Sequence, residues 1–80
     1  MQIQLIDGVF SRQDATALLA EMTAVKIRFH EGKISHSANA EDIKMREQKI
    51  RQLQNQLADI RKAMIGEGSI VIHADALIDG

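Results

Sequence analysis

The 80-residue sequence has no cysteine, proline, tryptophan or tyrosine, and Phe10 and Phe29 are its only large aromatic side chains. Without cysteine there is no disulfide, no thiolate metal site, no thiol redox chemistry and no cysteine nucleophile. Two phenylalanines cannot build a stacking platform for single-stranded nucleic acid. The opening Met1-Gln2-Ile3-Gln4 has no basic segment and no long apolar run follows it. Neither a signal peptide nor a membrane span is therefore expected, and the cytoplasm is the expected compartment.

What remains is aliphatic and small: eleven Ile, six Leu, four Met, three Val and ten Ala. Such side chains suit helix packing within a single small domain, residues 1–80. A chain of this size buries only about 60% of its unfolded surface, so a second copy is a natural source of stability. Net charge is −1, which argues against bulk polyanion binding. The charge is unevenly distributed, because residues 26–51 carry seven basic groups against four acidic ones.

Alternation in Gln2-Ile3-Gln4-Leu5-Ile6 predicts a strand over residues 2–9, with Ile3, Leu5 and Val9 on one face. A hairpin turn at Asp7-Gly8 would leave only Val9 and Phe10 for a return strand, so a single strand is favoured. Ser11, with Asp14 three residues on, approximates a capping box and opens a helix over 12–33. Within it Ala15, Leu18, Met22, Val25 and Phe29 form the expected seam, with Leu19 beside them. Ala17, Ala20, Ala24 and Ile27 fall on roughly the opposite side and make a second, smaller apolar face.

Residues 34–39 read as a loop, with Ser37 or Asn39 available to cap the next helix. That helix, 40–65, has Ile43, Ile50, Leu57 and Met64 spaced by seven, with Leu53 and Ile60 at the alternate positions. This is a coiled-coil heptad interrupted by Arg46. Asp42 with Arg46 and Glu47 with Arg51 are correctly oriented i,i+4 pairs. Gly66-Glu67-Gly68 ends the helix, and Ser69-Ile70-Val71-Ile72-His73-Ala74 begins a β-branched strand over 69–77.

The expected fold is therefore α+β, in the order strand, helix, helix, strand. A long antiparallel helical hairpin carries the terminal strands paired at its base. A two-stranded sheet is marginal alone and helix one has an extra small-residue face. A homodimer forming a four-helix bundle, with Ala17, Ala20, Ala24 and Ile27 at the interface, is the expected assembly.

No catalytic signature accompanies this scaffold. The serines occupy capping and turn positions, and neither a nucleophile elbow nor a phosphate-binding glycine loop occurs. His30, Glu31 and His36 are metal-ligand types at a spacing that does not place them on one helix face. Asp7, Asp75 and Asp79 gather near the base of the hairpin but read as solubilising strand ends. His73 reads as an outward strand residue. No catalytic residue, cofactor, metal or small-molecule substrate is expected.

The expected function is a small non-enzymatic structural or interaction module, a homodimeric adaptor or regulator. Met45 and Ile65, apolar but off the seam, are candidate contacts for a protein partner. The alternative is a nucleic-acid-associated dimer that meets phosphates with Lys26, Arg28, Lys33, Lys44, Arg46, Lys49 and Arg51.

Overall fold

The computed structural model describes residues 1–80 and follows the expected order. Strand β1 spans Gln2–Ser11, helix α1 Arg12–Ser35, helix α2 Ala40–Ala63 and strand β2 Ser69–Leu77. β1 and β2 pair antiparallel as a two-stranded sheet. The α carbons extend 47 × 32 × 13 Å, a flat outline set by helices each about 36 Å long at 1.5 Å per residue. No helix is long and apolar enough to cross a membrane.

Local chemistry explains the boundaries. Ser11 Oγ accepts the Asp14 N–H at 3.0 Å, so β1 runs directly into α1 two residues beyond the expected strand end. Asn39 Oδ1 accepts the Glu41 and Asp42 N–H groups at 2.9 and 3.2 Å, and caps α2. The loop is shorter than expected, because α1 continues to Ser35. At the other end Met64 is the C-cap, so Met64 and Ile65 lie outside α2. Gly66 and Gly68 then take φ of +134° and +94°, conformations that a side chain would strain.

The core is small, consisting of buried Ile6, Ala15 and Ile72 with Phe10, Leu18, Leu19, Met22, Met64, Ile70 and Ala74 around them. Ala15 matters most locally, because it is fully buried where α1 meets Ile6 and Ile72 of the sheet. Thr23 is the fourth buried residue, and its hydroxyl donates to the Leu19 carbonyl at 2.9 Å.

Two expectations about faces need correction. In β1 the core residue is Ile6, while Leu5 and Val9 are exposed. The register shifts between Gln4 and Ile6, so Ile3 opposite Ala76 and Ile6 opposite Ala74 fall on the same side of the sheet, where Ile6 is buried and Ile3 remains 40% exposed. A β-bulge breaks simple alternation in this way. In α1 the expected seam residues Val25 and Phe29 are 55% and 56% exposed. Arg12 and His30 both bond to α2, and buried Thr23 lies on their side of the helix. Helix α2 is therefore rotated about a quarter turn around α1 from the apolar stripe. The sheet covers the stripe from Ala15 to Met22 and leaves its second half uncovered.

Helix α2 turns its heptad inward. Ile43, Ile50, Leu53, Leu57, Ile60 and Met64 are all half-buried, and so is Arg46 in the position that interrupts them.

Candidate interaction surfaces

Three surfaces carry side chains that are not spent on the fold. The first is the side of α1 turned away from α2. Helical geometry places Leu18, Glu21, Val25, Arg28 and Gly32 along it in steps of three and four residues. Glu21, Val25, Arg28 and Gly32 are exposed, and Leu18 is half-buried beside Phe10. Of the expected interface residues, Ala17 is exposed at the border of this side, whereas Ala20, Ala24 and Ile27 are already half-buried. The alanine face is therefore a flank of the hairpin seam, with only part of its area free.

The second surface is the loop end of the hairpin. Arg46 Nη1 donates to His30 Nδ1 at 3.0 Å, which leaves the proton of a neutral ring on Nε2. Its guanidinium stands 5.8 Å from the Phe29 ring centroid, and Lys33 Nζ stands 5.6 Å from the same ring. Phe29 and His30 meet edge to face, with centroids 5.4 Å apart. Arg46 Nε faces Asp42 Oδ1 at 3.5 Å without making a hydrogen bond. The sequence identified the Asp42–Arg46 pair but gave no sign of the Phe29 and His30 contacts, which depend on the helix crossing.

This arrangement divides the seven basic residues. Arg46 is half-buried and engaged by Asp42, His30 and Phe29. Lys44 and Arg51 line one shallow depression with Glu47 and Gln48. Lys49 lies elsewhere around α2, at about 100° per residue, and Lys26, Arg28 and Lys33 are on the other helix. The structure brings Lys33 and Arg46 to the same Phe29 ring and sets Lys44 beside Arg51.

The third surface is the outer face of the sheet. Asp7 and His73 are register partners, and His73 Nδ1 lies 3.2 Å from Asp7 Oδ1. Its Nε2 lies 3.2 Å from Asp75 Oδ2, which also accepts from Gln2 Nε2 at 3.1 Å. The hydrogen bond to Asp7 and the charge of Asp75 raise the His73 pKa above its ordinary 6.5. Exposed Val9 and Val71 are paired on the same face. Asp79 makes no ion pair or side-chain hydrogen bond in this cluster, and no group of three or more His, Asp or Glu side chains is arranged to hold a metal ion.

Met45 and Ile65 are both exposed, Ile65 strongly so at 80%. The chain matches no protein-family model, no curated protein and no solved structure.

Proposed function

We propose that this protein is a non-enzymatic interaction module that works as a homodimer, an adaptor or regulator built from two helical hairpins contributing four helices. The observation carrying this reading is its surface area. A folded monomer of 8.9 kDa exposes about 4,800 Å², whereas this chain exposes 6114 Å². The excess of about 1,300 Å² exceeds the roughly 800 Å² per partner that a standard protein interface buries.

Val25, Phe29, Val9, Val71, Leu5 and Leu77 are all exposed on a chain with three buried hydrophobic residues. The deciding measurement is solution mass by light scattering over a concentration series at low and high salt. A dimer that persists in high salt is the expected result, since apolar contacts survive screening. A monomer at every concentration overturns the reading.

A further inference from the structure

We propose that the dimer forms by antiparallel packing of α1 on α1 of a second copy, along Leu18, Glu21, Val25, Arg28 and Gly32, with the two-fold axis at Val25. This rests on the homodimer reading and specifies its interface. The five residues are spaced by three, four, three and four, so Leu18 and Gly32 lie seven residues to either side of Val25, with Glu21 four before it and Arg28 three after it. Reversing it places Leu18 against Gly32, Glu21 beside Arg28, and Val25 on Val25. A two-fold interface requires such self-complementarity, in which every contact occurs twice.

Three observations favour this occupant. The row lies opposite the side of α1 that faces α2, where Val25 is 55% exposed. Its acidic member is in the N-terminal half and its basic member in the C-terminal half, so an antiparallel copy is attracted and a parallel copy sets like charges side by side. Gly32 supplies the third. It stands inside α1, where glycine weakens a helix, and no atom of its own chain lies within 4 Å of where a Cβ would be. Nothing within the monomer requires glycine at this point. Against a second helix it leaves room for Leu18 of the other copy and lets the two backbones approach closely.

In this arrangement the four helices lie side by side, α2, α1, α1, α2, in one layer instead of a closed bundle. The two sheets then sit at opposite ends, and the alanine flank, the loop ends and both outer sheet faces remain available to other partners.

Glu21→Arg, Arg28→Glu and the double variant test the interface. Each single reversal should raise the dimer dissociation constant by about tenfold or more, and the double variant should restore most of the affinity. Gly32→Leu should also weaken the dimer while raising the helix signal of the monomer, a combination that helix propensity alone cannot produce. Because the chain has no cysteine, Val25→Cys should give a disulfide-linked dimer under mild oxidation, and Ala58→Cys, on exposed α2 surface, should not. A wild-type dimer indifferent to both charge reversals and uncrosslinked through Val25→Cys overturns the interface and leaves the homodimer reading intact. A wild-type monomer overturns both.

Discussion

Arg12 Nε donates to the Glu67 carbonyl at 2.8 Å, so the first residue of α1 closes the chain just past the end of α2. Its Nη1 reaches the Ala63 carbonyl at 3.3 Å, one of the acceptors left without a partner at a helix C-terminus. A cation there also opposes the negative end of the helix dipole. Arg12→Ala should lower stability by about 1–2 kcal/mol in urea unfolding. Arg12→Lys should recover less than half of the loss, because an ammonium cannot serve both carbonyls in the fork geometry.

Ala15 is fully buried where the sheet meets α1, in one cluster with Ile6 and Ile72. Ala15→Leu should destabilise by about 1–3 kcal/mol despite keeping a strong helix former. An unchanged thermal midpoint would show that the sheet does not press on α1 at this residue.

Arg46 holds a heptad position that the rest of α2 fills with aliphatic side chains. Arg46→Met should change stability by no more than about 1 kcal/mol, since the Asp42 carboxylate left behind is one-third exposed and solvated, and a pair of this kind contributes about 0–1 kcal/mol. The same change removes the donor to His30 and the cation near Phe29. The measurements are a denaturation curve and the chemical shift of the His30 ring.

His73 responds to pH in a defined direction. Its folded pKa is raised, so the stability it contributes is fully present below its unfolded value near 6.5 and is lost as pH rises through the raised folded value. An NMR titration of the His73 ring should show a midpoint above 6.5. Asp7→Asn should bring that midpoint down, because the hydrogen bond to Asp7 is the largest cause of the shift.

The order of elements was legible because each end carries its own chemistry: Ser11 and Asn39 as caps, and Gly66 and Gly68 where φ becomes positive. The heptad of α2 was legible because one side of that helix is aliphatic and the others are polar. Helix α1 was harder to read, since apolar residues occur on two sides and periodicity does not say which side meets α2. The three-and-four spacing picks out Ala15, Leu18, Met22, Val25 and Phe29, whereas α2 packs on the side that carries Arg12, Thr23 and His30. The same limit explains Ile6. A bulge at Leu5 reverses inside and outside, and no residue at that point announces it. The His73 cluster depends on cross-strand register, so its two aspartates could be placed nearby in the sequence but not on either side of one ring.

The Met1 ammonium donates to the Ile78 carbonyl at 2.8 Å, and the Ile78 N–H returns a bond to the Met1 carbonyl at 2.7 Å. Entry and exit of the chain are therefore fastened together, like the two feet of a staple. A segment with this shape can be spliced into a surface loop of another protein without forcing that loop's ends apart. It could be transplanted as a cassette, and a host carrying it would acquire whatever pairing the hairpin possesses.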